Sequence, residues 1–387
     1  MLNINSKLKM KFKKIISFVV CLLVLLNIPG ILLETQSIAV SSPVSYFTFF
    51  LLGVLIITNK TKFPKQILFM AGISSLYFFI GAFQYEESFI TLSSKYVKFL
   101  LYLFGLFVSL KHINQNTIIF LLLVGAITIL LDSLYFRFND FQGIDYVSQY
   151  GRYSGFYLNP NTASMICLFG YVLSITKTNY WKFLSMAFTF FGFITLSRTF
   201  MATWFLITII YLFYNRKYIV KTFLFLIVSV FSLITFSENL NLDTRRFDFL
   251  VNLFSGQINN EVLNDDSRQY QWAKFYDGIL NSPIIGNGYS SFGQSLDGRG
   301  DGGVHNSFLL ILGESGLLPF LLIIMVFFFL FKKCYNLRKK NLTLLLLIVV
   351  LFIQFLVSHN FFDSGLMLFI FLNIIYLLNF NYNKRII

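Results

Sequence analysis

The stretch HNSFLLILGESG, residues 305–316, holds side chains of the types that chemistry needs. His305 follows Gly298, Gly300, Gly302 and Gly303 and is one of three histidines in the chain. An unperturbed imidazole titrates near ~6.5, so its neutral form can take a proton at neutral pH. Asn306 stands beside it. Glu314 lies nine residues on, roughly 13 Å along a straight helix. Direct contact between the two is therefore excluded in a regular helix, but Gly313, Gly316 and Pro319 favour a break. A histidine that caps a helix or sits at an interface would occupy the same position, and the residue alone leaves both readings open. His359-Asn360 repeats the pair further along.

Three arginines offer anion recognition. Arg198 sits in TLSRTF, between two apolar runs with almost no loop. A guanidinium there either snorkels to lipid headgroups or binds phosphate through a two-pronged contact. Arg268 opens a helical pattern in DDSRQYQWAKFYDGIL, with Asp266 or Ser267 as its N-cap. Taken singly, it is also what a solvated surface charge looks like. Arg152 lies in YGRYSGFYLNPNTAS, where Asn159 and Pro160 read as an N-cap and first helical residue. No metal site is expected. LDGRGDGG lacks the spacing and closing glutamate of a calcium loop, and His112 and His359 are far from His305 in sequence. Cys21, Cys167 and Cys334 form no framework.

The elements that must carry these residues are membrane helices. Hydrophobic residues make up 56% of the 387 and charged ones 12%, about half the usual share. Several runs reach the roughly 20 residues a bilayer-crossing helix needs. The pattern predicts an all-α, polytopic integral membrane protein of about twelve transmembrane helices. They fall near 15–33, 38–58, 66–83, 96–110, 117–135, 160–176, 181–196, 200–214, 218–236, 306–331, 342–358 and 364–380. One membrane-embedded domain is expected: helices 1–9 within 1–236 with an outer loop at 136–159, a large outer loop at 237–304, and helices 10–12 within 305–387. The basic N-terminus precedes a first helix read as retained, since no small-residue cleavage site follows it.

Charge sets the expected orientation. Seven short segments, from the N-terminal tail to NKRII, hold 21 of the 31 lysines and arginines and none of the 17 acids. By the positive-inside rule both termini are cytoplasmic. Positive charge spread over seven loops is a topology signal and excludes a nucleic-acid surface. The spans carry almost no ionisable groups, which argues against a proton-coupled transporter. Asp132, Lys98 and Arg198 lie near outer helix ends, and Glu314 is the one acid well inside a span.

Two segments then become recognisable. NSPIIGNGYSSFG followed by HNSFLLILGESGLLPF resembles the C-terminal signature of the O-antigen polymerase and O-antigen ligase superfamily, roughly P-x-x-G-x-G and then H-N-x7-E-x-G. GRYSGFYLNPNTAS and LSRTF resemble its loop before the sixth helix and its serine–arginine turn. The resemblance implies a metal-independent, cofactor-free glycosyltransferase acting on glycans linked to undecaprenyl pyrophosphate, at the outer face of the cytoplasmic membrane. Arg198 and Arg268 would hold the pyrophosphate and His305 would activate the acceptor hydroxyl. Arg152, Asn306 and Glu314 join them as substrate-binding candidates. The expected activity is a Wzy-type polymerisation of O-antigen or capsular repeat units. The alternatives are a ligase delivering glycan to lipid A core and a polysaccharide or lipid flippase, which would show repeated halves and charged spans. Expected partners are the lipid-linked glycan, membrane lipids, and flippase and chain-length regulator proteins.

Overall fold

The computed structural model describes residues 2–60, 62–84, 89–136, 152–177, 181–224, 227, 235, 272–292, 303–358 and 361–383. Among them every regular element is helical. In chain order they are α1 (Leu2–Leu25), α2 (Ile28–Thr35), α3 (Ile38–Thr58), α4 (Lys65–Gly81), α5 (Phe89–Leu110), α6 (Gln115–Leu131), α7 (Pro160–Ile175), α8 (Trp181–Ile194), α9 (Arg198–Tyr214), α10 (Tyr276–Asn281), α11 (Ser307–Ser315), α12 (Leu317–Asn336), α13 (Leu342–Val357) and α14 (Gly365–Asn383). Most of the expected ninth helix and most of the large outer loop lie outside the described residues.

Four helices among the described residues are long and apolar enough to cross a membrane: α3, α5, α6 with the turn that follows it, and α12. A fifth candidate is the pair Met10–Leu25 and Ile28–Thr35, bent by 49°. Six further helices are apolar but shorter. Large side chains cover their outer surfaces: Ile57 is 85% exposed and Phe79 66%. In water such a surface would drive association, whereas lipid is its natural solvent. This is a multi-pass membrane protein.

Two differences from the sequence reading have local causes. The first span is broken, because Asn27 takes a left-handed conformation (φ 50°) and Pro29 follows at the start of α2. A proline cannot continue the preceding helix, but it fits the first turn of a new one. Cys334, beyond the span expected to end at 331, lies buried in the last turn of α12.

Contacts group the chain into two compact units. The first comprises Met1–Thr48, His112–Ile258 and Arg338–Val350. At its centre α7 is buried along nearly its whole length. The Tyr171 hydroxyl shares a 2.7 Å hydrogen bond with Thr208 of α9, and Trp204 Nε1 donates to Thr189 of α8 at 3.0 Å. The second unit comprises Phe49–Lys111, Asn259–Leu337 and Leu351–Ile387. Its core is built from rings: Phe99, Phe355, Phe361 and Phe369 are fully buried, and Phe327 meets Phe355 edge-on at 4.6 Å. Edge-on geometry suits the ring quadrupole.

Candidate active site

In the second unit, two segments separated in sequence form one object. After α10 the chain turns through Ser282–Phe292, the glycine-bearing loop. The span expected at 306–331 is broken at Gly316, whose φ of 77° ends α11 before α12 begins. A helix end leaves its last carbonyls and the next helix's first amides without partners. The loop supplies both. Asn287 N donates to Gly313 O at 2.7 Å, and Gly288 N to Glu314 O at 3.1 Å. Leu317 N, the first amide of α12, donates to Pro283 O at 3.0 Å. The Asn287 side chain adds bonds to Gly278 O and Gly313 O.

This interlock explains the spacing of the glycines. A Cβ on Gly286 would stand 2.5 Å from the carbonyl carbon of Glu314, and one on Gly316 would collide with the Ile284 carbonyl. Both residues also have positive φ, near 80°, which favours glycine. The loop therefore touches the broken helix backbone to backbone.

Glu314 holds the loop from below. It is 1% exposed. Its carboxylate accepts the Tyr77 hydroxyl and is bonded by the backbone amides of Ser290 and Phe292. A buried carboxylate needs such donors, because an unsatisfied one costs on the order of 1–3 kcal/mol or more. Tyr77 comes from α4, where its ring stacks on Phe362 at 4.2 Å. Tyr289 N donates to Gly81 O at the end of α4, and the Tyr289 hydroxyl donates to Asp363 at 2.9 Å. Lys95 of α5 lies 4.8 Å over the Tyr289 ring. Tyr77, Tyr289, Lys95 and Asp363 escape a reading of the sequence.

His305 follows from the same loop. Val304 N donates to Phe292 O at 3.2 Å, which returns the chain to the loop's end. His305 is half-buried with φ of 44°, a left-handed conformation that few non-glycine residues adopt. Asn306 is then the N-cap of α11, its side-chain oxygen accepting from Phe308 N at 3.0 Å and Leu309 N at 3.2 Å. The asparagine beside His305 thus has a capping task. Ser307 donates to Ser358 O at 3.4 Å; His359 and Asn360 lie outside the described residues, as do Gly298, Gly300 and Gly302.

In the first unit, the two other motifs meet. Asn159 caps α7, with Pro160 in the first turn, as the sequence predicts. Ser197 caps α9 through Phe200 N, and its hydroxyl donates to Asn161 at 3.0 Å. Arg198 is the first residue of α9 and is exposed. A cation at a helix N-terminus opposes the helix dipole, so an anion bound there would be attracted by both. Arg152 is half-buried and leads into a turn anchored by Asp132. The Asp132 carboxylate, fully buried, accepts from Ser154 N at 3.1 Å and Gly155 N at 2.9 Å. Arg268 and its expected N-caps lie outside the described residues; within that predicted helix, the chain is helical at Tyr276–Asn281.

One backbone device recurs. Leu158, Leu196 and His305 are all left-handed, and each directly precedes an N-cap: Asn159, Ser197 and Asn306.

Residues 182–324 match a model of the O-antigen ligase family. The match supports the O-antigen ligase and polymerase superfamily. It covers 143 of 387 residues, from α8 into α12. Within it fall Arg198, Arg268, His305, Asn306 and Glu314, while Arg152 precedes it. Members of the matched family are glycosyl-transferring enzymes. No curated protein matches the chain.

Proposed function

We propose that the protein transfers a glycan from an undecaprenyl pyrophosphate carrier to a sugar hydroxyl, and that it does so as a polymerase of surface-polysaccharide repeat units. The observation that carries this reading is the plugged break at Gly316, where hydrogen bonds join the glycine loop to Glu314 and to the segment that leads into His305. A rigid scaffold is what lets a few side chains stabilise charge without reorganising.

In the proposed step the acceptor oxygen attacks the anomeric carbon while its proton passes to the His305 imidazole. The new glycosidic bond forms as the bond from that carbon to the phosphate oxygen breaks, and the diphosphate leaves with the electron pair. Arg198 and Arg268 stabilise that growing charge. Glu314, Asn306 and Tyr77 act as positioning residues, and Arg152 serves the same end of the first unit. The proposed topology has twelve spans, both termini cytoplasmic and the reaction at the outer face of the cytoplasmic membrane.

The ligase reading is favoured by one finding, the description of the matching family. Purified protein incubated with lipid-linked repeat units separates the two. A ladder of lengthening glycans supports the polymerase. Product only after addition of lipid A core supports the ligase. Lipid moved between leaflets with no product supports a flippase and ends the proposal.

A further inference from the structure

We propose that a groove between α4 and α12, with α14 at its side, holds an anionic glycerophospholipid whose phosphate sits on Lys65 and Lys333. The groove has a volume of about 510 Å³, within the range of small-molecule sites. Its walls are apolar, Leu68, Phe69 and Phe329 among them, and these three are 43–58% exposed. Its polar groups are Lys65, Gln66 and Lys333, and among the described residues no carboxylate lines it. Lys65 and Gln66 open α4, whose N-cap is Pro64, a residue with no side-chain acceptor for the first amides. Two ammonium groups and a helix start without a side-chain cap line this greasy trough. Together they complement a phosphate attached to acyl chains.

The position selects the lipid. Lys333 lies 17 residues beyond Gly316, roughly 26 Å along α12. The bilayer's hydrocarbon core is only ~30 Å thick. Lys333 and the Gly316 break therefore face opposite leaflets. A pyrophosphate held at the break cannot be the groove's occupant, so a resident phospholipid of the other leaflet fills it. This inference does not rest on the glycan-transfer reading.

Native mass spectrometry of the protein released from nanodiscs tests it. The discs would contain phosphatidylethanolamine with phosphatidylglycerol, and a second set would add undecaprenyl phosphate. The wild type should retain phosphatidylglycerol. Lys65→Ala with Lys333→Ala should weaken that retention about thirtyfold, the effect expected of two interfacial lysines. Lys65→Arg with Lys333→Arg should keep it. Lys339→Ala with Lys340→Ala, equal in charge loss but outside the groove, should also keep it and shows that charge removal leaves the fold intact. Equal retention by the wild type and the Lys65/Lys333 alanine variant overturns the proposal. So does preferential retention of phosphatidylethanolamine or undecaprenyl phosphate, or of no lipid.

Discussion

The Tyr77 hydroxyl donates to the Glu314 carboxylate across 237 positions of sequence. It joins α4 to the end of α11 beneath the glycine loop, where water cannot replace it. Tyr77→Phe should lower stability by about 1–3 kcal/mol, the usual effect of removing one hydrogen bond from a buried charged group. Glu314→Ala should cost more, because the amides of Ser290 and Phe292 also lose their acceptor. In the double variant the Tyr77 change should add little, since its partner is already gone. Thermal unfolding in detergent measures all three, and additive losses would show that the pair is not coupled.

His305 occupies a conformation that glycine adopts without strain. His305→Gly should therefore leave melting unchanged or raise it. Glycan transfer should fall by a factor on the order of 10²–10⁴, the range for loss of a general base. A capping or packing role would give the opposite pattern, with lower stability and retained transfer.

Arg198 separates the two readings of its position in a similar way. Arg198→Ala removes a cation from the wrong end of a helix dipole and should stabilise by about 0.3–1 kcal/mol. If the guanidinium binds pyrophosphate, KM for the lipid donor rises and Arg198→Lys does not restore it, because an ammonium lacks the planar fork. Unchanged kinetics in Arg198→Ala would leave it a lipid-headgroup anchor.

Gly286→Ala should be poorly tolerated. The added methyl meets backbone at Glu314, which cannot swing aside. Membrane yield and melting temperature should both drop, by more than for an alanine at Gly72, where a Cβ meets nothing within 4 Å.

Much of this is legible in the residues. The apolar run predicted at 38–58 is α3, residue for residue. The Asn159 cap, and the break within GESG, follow from turn chemistry that acts over a few positions. Tyr77 is illegible, because it is one of 21 tyrosines and nothing in SSLYFF marks its partner. The same holds for Tyr289 with Asp363 and for Asp132, whose backbone donors lie 22 and 23 residues away. Hydropathy sees the span but not the pairing across it. The first helix reads as continuous because a long apolar run hides the single Pro29 within it, yet that proline, after Asn27, is where the span bends.

The plugged break at Gly316 imposes an order of events on a nascent chain. The ribosome delivers Pro283, Asn287 and Gly288 before the half-helix whose end they will satisfy. Asn287 and Gly313 are 26 residues apart, and the entropy of closing such a gap grows only slowly with its length. Tyr77 has by then long been made and waits for Glu314 to arrive. Assembly of the second unit is thus gated by its late-translated portion, and a chain truncated before Glu314 would strand a finished α4 with no acceptor to meet.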